Sequence, residues 1–249
     1  MSVIKLNKKM KAIILAAGLG TRLRPLTDEV PKCMISVNGI RIIDKQINNL
    51  HKHGITDIII VGGYKADVLK KHLRIFPDIT FIDNIHYAET NNMYSLYLAL
   101  QEMGKAEFLL MNADVYYDAH IIAGLLSPVN KERSMIACDG NGYMEESMKI
   151  TLDGKGVVNH IGKKIAEEEY YAVSIDVYKL NELAATALFE EVKKIIEIQG
   201  DRNSWTEVAL DGIFDIVDFK PYVIEGRWFE IDNHEDLKRA EKLFEGDVI

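Results

Sequence analysis

Lys11-Ala-Ile-Ile-Leu-Ala-Ala-Gly-Leu-Gly-Thr-Arg-Leu-Arg-Pro-Leu-Thr-Asp-Glu-Val-Pro-Lys32 is the stretch from which the rest of this chain is read. The apolar run Ala12 to Ala17 is too short for a globular helix and enters Gly18 and Gly20 directly, as a strand buried inside a parallel sheet does. Glycine lets the backbone approach a ligand, so successive N–H groups can point at phosphate oxygens. Arg22, Arg24 and Lys32 bring the positive charge that such a guest requires. A plain glycine turn with solvated arginines would need fewer cations than stand here.

Two familiar phosphate loops do not fit. A Walker loop would place Gly-Lys where the chain has Leu23-Arg24. A dinucleotide fingerprint would put its third glycine at Leu23, Pro25 interrupts the helix that should follow, and no acid stands at the ribose-binding distance.

Working outward, apolar runs alternate with amphipathic segments. Helices are expected over 42–53, 65–73, 93–103 and 119–126, with strands over 57–61, 79–82 and 107–111. That is the rhythm of an α/β protein whose ligands gather at the carboxyl ends of parallel strands. Beyond Ser134 short strands over 148–152, 157–161 and 170–177 look antiparallel and predict a lid or acceptor wall; a last helix is expected over 234–244.

The 249 residues include only five prolines and no low-complexity tract or linker, so one domain is expected over 11–249 with a frayed extension over 1–10. A net charge of −8 argues against nonspecific binding to nucleic acid and makes the basic loop a local feature. With no membrane-length apolar stretch and no signal-like N-terminus, the protein is expected in the cytoplasm, as monomer or homodimer. Cys33 and Cys138 lack a partner at ligand spacing and read as buried thiols, although Lys32 beside Cys33 could lower its pKa.

The segment from Leu15 to Thr27, followed by Pro31-Lys32, resembles the signature L-A-A-G-x-G-T-R-L-x-P-L-T with P-K of the nucleotidyltransferases that make activated sugars and activated alcohol phosphates. The resemblance implies a glycosyltransferase-A-like fold, a Rossmann-like, mainly parallel mixed sheet flanked by helices with a small antiparallel acceptor region. It also implies nucleotide binding by Leu15, Ala16, Ala17, Gly18, Gly20 and Thr21, a pyrophosphate contact for Arg22, and a contact of Lys32 with the phosphate under substitution. Arg24 occupies a less strict position.

Asp114 and Asp232 both follow apolar strand patterns, and carboxylates with phosphate oxygens are what Mg²⁺ prefers. On spacing alone either Asp could equally shape a turn, and Asp232 or Asn233 could cap the following helix. The resemblance, in which Asn112-Ala-Asp114 is similar to the second motif, implies a metal pair.

Tyr87-Ala-Glu-Thr-Asn-Asn-Met-Tyr-Ser-Leu96 is similar to the cytidylyltransferases that act on phosphocholine, 2-aminoethylphosphonate and related compounds. Asn91, Ser95 and Asn112 are then candidates to bind the nucleotide, since amides both donate and accept as a pyrimidine edge requires; a capping role for Asn92 or Ser95 is the plainer reading. An amine-bearing acceptor needs acids or aromatic faces. Trp205 and Glu207 match an aromatic-acid pair in the phosphocholine branch, Trp228, Tyr94, Tyr116 and Tyr171 are further aromatics, and Lys149, in a strand that alternates like an exposed edge, could grip the acceptor phosphate.

The expectation is transfer of a cytidylyl group from CTP, with Mg²⁺, to a small phosphorylated or phosphonate acceptor, releasing pyrophosphate. Alternatives are a sugar-1-phosphate nucleotidyltransferase, an inositol-phosphate enzyme, and a silent nucleotide sensor, for which a complete Arg22, Lys32, Asp114 and Asp232 set would be superfluous.

Overall fold

A computed structural model describes residues 10–104 and 106–246. The expected extension therefore lies almost wholly outside the described residues. The first half holds β1 (Lys11–Ala16), β2 (Ser36–Val37), β3 (Ile40–Arg41), α1 (Ile42–Lys52), β4 (Ile58–Gly62), α2 (Ala66–Leu73), β5 (Ile79–Asp83), α3 (Asn92–Met103), β6 (Phe108–Asn112), β7 (Val115–Tyr117) and α4 (His120–Leu125). The second holds β8 (Ser134–Asp139), β9 (Lys149–Leu152), β10 (Val158–Gly162), β11 (Ala172–Leu180), α5 (Glu182–Lys193), α6 (Thr206–Asp211), β12 (Phe219–Val223), β13 (Trp228–Glu230) and α7 (His234–Leu243).

Nine strands form one mixed sheet in the order β10-β9-β11-β6-β1-β4-β5, with β8 also on β11 and β12 on β8. The run β6-β1-β4-β5 is parallel, and β11 joins β6 antiparallel. Both faces are covered. Ala12 and Ile14 of β1 sit with Ile58 and Ile60 in the cluster shared with α1, α2 and α4, whereas Ile13 and Leu15 sit with Ile59 and Val61 under α3, α5 and α6. That burial on both sides explains why β1 reads as an unbroken apolar run rather than an alternating one.

A third, smaller cluster lies apart from the two faces. It gathers Leu23, Ile35, Val37, Ile40, Ile42, Tyr116, Ile231, Ala240 and Phe244, with Tyr116 and Phe244 edge-on at 4.7 Å between centroids. The helices and strands expected up to Leu126 are all present within a residue or two, as are the first two antiparallel strands and the final helix, while the strand expected over 170–177 runs three residues further, to Leu180. Strand β13, before Asp232, matches the apolar strand pattern read there, whereas strands β2, β3, β7, β8 and β12 and helices α5 and α6 were not singled out by the sequence.

Ile14 is fully buried in the central strand. We expect Ile14→Ala to lower unfolding free energy by about 2–5 kcal/mol in equilibrium urea denaturation, the range for truncating a buried aliphatic side chain.

Candidate active site

At the carboxyl ends of β1 and β6 lies a cavity of about 380 Å³. Its floor is the loop after β1. Gly20 there adopts φ 60°, and a Cβ on it would meet Lys32 Cβ at 3.0 Å and Thr27 Cγ2 at 3.1 Å, so only glycine fits without displacement. Thr27 donates to the Gly20 carbonyl at 2.8 Å, and the buried Leu23 pins the loop from below. Leu15, Ala16, Ala17, Gly18, Gly20, Thr21, Arg22 and Lys32 all line the cavity. Arg24 does not, and pairs with Asp28 at 3.4 Å.

Lys32 is the centre of the charge arrangement. Its Nζ donates to Asp114 Oδ2 at 2.8 Å and to Asp232 Oδ1 at 2.6 Å, while Arg22 reaches the other oxygen of Asp232 at 2.8 Å. Burial alone would lower the lysine's pKa, but the two carboxylates outweigh it and hold the ammonium firmly charged. Burial likewise acts to raise Asp232, and Lys32 with Arg22 outweighs it and holds the carboxyl below its usual range.

Asp232 is free for this because its neighbour takes the capping role. Asn233 Oδ1 accepts from the N–H groups of Glu235 and Asp236, and Asp236 Oδ2 accepts from those of Asp232 and Asn233, closing a capping box at the start of α7.

Glu230, which sequence reading passed over, completes the cluster: Asp114, Glu230 and Asp232 each offer an oxygen within 4.8 Å of the others. Its signal was available, since Glu230 and Asp232 are spaced i, i+2 and an extended chain turns them to one side. Burial, then Asp114, Asp176 and Asp232, push the Glu230 carboxyl up to about 9. Asp114 Oδ1 is buried without a hydrogen-bond partner. An unpaired carboxylate oxygen inside an all-oxygen set is what a hard divalent cation would use, so these residues fit one.

The opposite wall is acidic and aromatic. Trp205 is half-exposed and carries the Lys163 ammonium 4.9 Å from its ring; Glu207 is buried, and both residues line the cavity. Asp176 enters from a bulge in β11, where the register with β8 shifts between Ser174 and Tyr178 and the backbone takes φ 56°. Asn112 Nδ2 donates to Asp176 Oδ2 at 2.9 Å, and the Tyr178 hydroxyl lies 3.0 Å from Asp176 Oδ1 and 2.9 Å from Glu207 Oε1. Burial and then Glu207 and Asp114 push Asp176 up to about 7, and burial raises Glu207 as well. An acid inside an otherwise apolar strand was the available signal for Asp176. Lys163 had none.

Asn91, Ser95 and Asn112 also line the cavity, each with a structural bond. Asn91 caps α3 through Asn92 N–H, and Ser95 accepts from Asn84. Lys149 is a correction. It is fully buried, and its ammonium donates to the carbonyls of Met144, Glu145 and Ser147 at 2.7–3.1 Å, outside the cavity. Those carbonyls consume its charge and fold the segment that presents Glu146, Ser147 and Met148 to the site. Trp228 donates to Asp139, Tyr116 is core, and neither they nor Tyr94 and Tyr171 line the cavity. Burial pushes the Cys33 thiol up to about 12, so Lys32 does not activate it.

The family description "Nucleotidyl transferase" matches residues 11–240. The chain is 30% identical to the CTP:phosphoglutamine cytidylyltransferase of Campylobacter jejuni, covering 92% of this chain and 98% of that protein. It is 39% identical to the 2-aminoethylphosphonate cytidylyltransferase of Lancefieldella rimae over 73% of this chain and 72% of that one. The solved CTP:phosphocholine cytidylyltransferase of Streptococcus pneumoniae superposes with a TM-score of 0.79 at 27% identity, over 95% of this chain and 100% of that chain.

Because Lys32 fills the space between the carboxylates, a divalent cation and the ammonium compete for the same oxygens. We expect Lys32→Met to bind Mn²⁺, without nucleotide, at least about 10-fold tighter than the parent, since unit charges 4 Å apart interact by ~4 kcal/mol near a protein surface. Titration followed by the Mn²⁺ spin-resonance signal reads this directly. Equal affinities would mean that Lys32 leaves the carboxylates at no cost.

Proposed function

The chain belongs to the nucleotidyl transferase family, and from that premise we propose that it transfers a cytidylyl group from CTP to a small phosphorylated or phosphonate acceptor bearing an amine, such as phosphocholine or 2-aminoethylphosphonate. The observation that carries this reading is one cavity with two unlike sets of lining groups: a glycine loop with Arg22 and Lys32, and an acidic and aromatic set of Trp205, Asp176 and Glu207. A polyphosphate suits the first set and a cation the second. The choice of cytosine is supported by the named activities of two relatives.

In the reaction an acceptor oxygen, already ionised near neutral pH, bonds to the α-phosphorus in line while the bond to the β-phosphate oxygen breaks and pyrophosphate departs. No general base is needed. The loop from Gly18 to Thr21 holds the phosphates, Arg22 holds the departing pyrophosphate, and Lys32 turns from the carboxylates to the α-phosphate. Lys163, on the acceptor side of the cavity, provides a cation for the incoming phosphate or phosphonate. Asp114, Glu230 and Asp232 would hold Mg²⁺, which supplies charge neutralisation at the α-phosphate. The chain's own contribution is to bring two anions together and hold them aligned.

Pyrophosphate release, measured with Mg²⁺ for CTP, UTP, dTTP, ATP and GTP against amine-bearing acceptors, inositol phosphate and glucose 1-phosphate, should be confined to CTP with an amine-bearing acceptor. Turnover with glucose 1-phosphate would replace this reading by a sugar-activating one. Asp114→Asn should cut turnover by a factor of about 100 or more with an unchanged circular dichroism spectrum. Near-normal activity would remove Asp114 from the site.

A further inference from the structure

Asp114 sits with Ala113 in a two-residue turn between the end of β6 at Asn112 and the start of β7 at Val115. Three other segments hold that turn. Ala113 N–H donates to the Leu15 carbonyl at 3.0 Å, and Ile231 N–H donates to the Asp114 carbonyl at 3.0 Å. Gln46 of α1 spends both hydrogens of its amide here, donating to the Asn112 carbonyl at 2.9 Å and to the Val115 carbonyl at 2.8 Å. One fully buried side chain, itself outside the cavity, thus clamps both ends of the turn from which the Asp114 carboxylate projects.

What Gln46 does differs from what its helix neighbours do. Among the described residues β7 pairs with β13 alone, so one of its edges has no strand beside it. Gln46, Asn49 and His53 stand at i, i+3 and i+7 along one face of α1 and reach backbone carbonyls of that segment: Asn49 donates to Tyr117 at 2.8 Å, and His53 Nε2 lies 2.9 Å from the Ala119 carbonyl. Supplying partners to a bare edge is a structural duty, and Asn49 performs it beyond the turn. Only Gln46 spans the turn itself. The arrangement is not the most stable one available, because Gln46 Oε1 and Asn49 Oδ1 are buried with no hydrogen-bond partner among the described residues, and a buried acceptor left unmet is destabilising. We infer that Gln46 is a positioning residue for Asp114: its amide fixes the spread of the turn, and through it how the Asp114 oxygens stand to those of Glu230 and Asp232. This rests on the metal role given to Asp114 in the proposed function and adds the residue that sets its geometry.

Mn²⁺ binding without nucleotide, followed by the spin-resonance signal, tests this apart from catalysis. Gln46→Met nearly keeps the length and volume of the side chain and removes its donors. We expect it to weaken Mn²⁺ by at least about 10-fold, the scale for losing an outer partner of a metal ligand. Gln46→Asn keeps the amide but withdraws it by one methylene, and should weaken Mn²⁺ in the same direction, which decides the matter if the methionine variant does not fold. Asn49→Leu makes the same loss one helical turn on; it should lower the urea midpoint as the Gln46 variants do and leave Mn²⁺ affinity at the parent's value. Parent affinity in the folded Gln46 variants, or an equal loss in Asn49→Leu, overturns the inference and makes Gln46 a support for β7 alone, with the metal site left standing. Asp114→Asn completes the comparison: unchanged Mn²⁺ affinity there would take Asp114 out of the metal site, and the role of Gln46 with it.

Discussion

Everything in this cavity is arranged around the Lys32 ammonium and the two carboxylates that hold it. Asp114 and Asp232 come from strand ends more than a hundred residues apart in the chain, and Glu230 crowds them further. Three carboxyl groups at such separations repel one another, and a low-dielectric surrounding makes the repulsion worse. The protein meets this in two ways: Lys32 and Arg22 neutralise Asp232 and Asp114, and burial with the neighbouring carboxylates raises the Glu230 carboxyl above its usual range. The same cations are the ones a triphosphate would recruit. On the proposed function, phosphate binding and exposure of the carboxylates would be two sides of one exchange of partners.

The parts of the site that could be read from the chain are those whose chemistry is local. Leu15 to Lys32 is legible because the strand, the glycine at positive φ and the cations follow one another within a single loop. Asp114 and Asp232 were legible as acids at strand ends, and the ambiguity over capping vanished only when Asn233 was seen to do the capping instead. Lys149 was misread for a reason that no local pattern contains. Its strand alternates as an exposed edge would, but the segment from Met144 to Ser147 folds back over it and supplies the carbonyls that bury its charge. Asp176 stood out only as an acid in an otherwise apolar strand, and the bulge that turns it into the cavity leaves little trace in composition.

Buried lysines recur as a structural device here. Lys179 repeats what Lys149 does, donating to the carbonyls of Asn130, Lys131 and Arg133 at 2.8–2.9 Å. In both cases one ammonium satisfies backbone carbonyls of a turn that sheet or helix leaves unpaired. Of the two, only Lys149 braces a segment that reaches the cavity, the one presenting Glu146, Ser147 and Met148.

The smallest apolar cluster has a meaning that its size conceals. Leu23 follows Arg22, Tyr116 lies two residues beyond Asp114, and Ile231 stands between Glu230 and Asp232, and all three side chains meet in that one cluster together with Phe244 of the chain's last described turn. Each charge-bearing segment is thereby moored to a common anchor a residue or two away from the charge itself. Interiors are close-packed and yield little, so the mutual spacing of the charges is set by contacts that carry no charge at all. The cluster works as a gauge block for the active site, and wear on it, by a methyl group lost or gained, would register as misplacement of an arginine or a carboxylate long before it registered as unfolding.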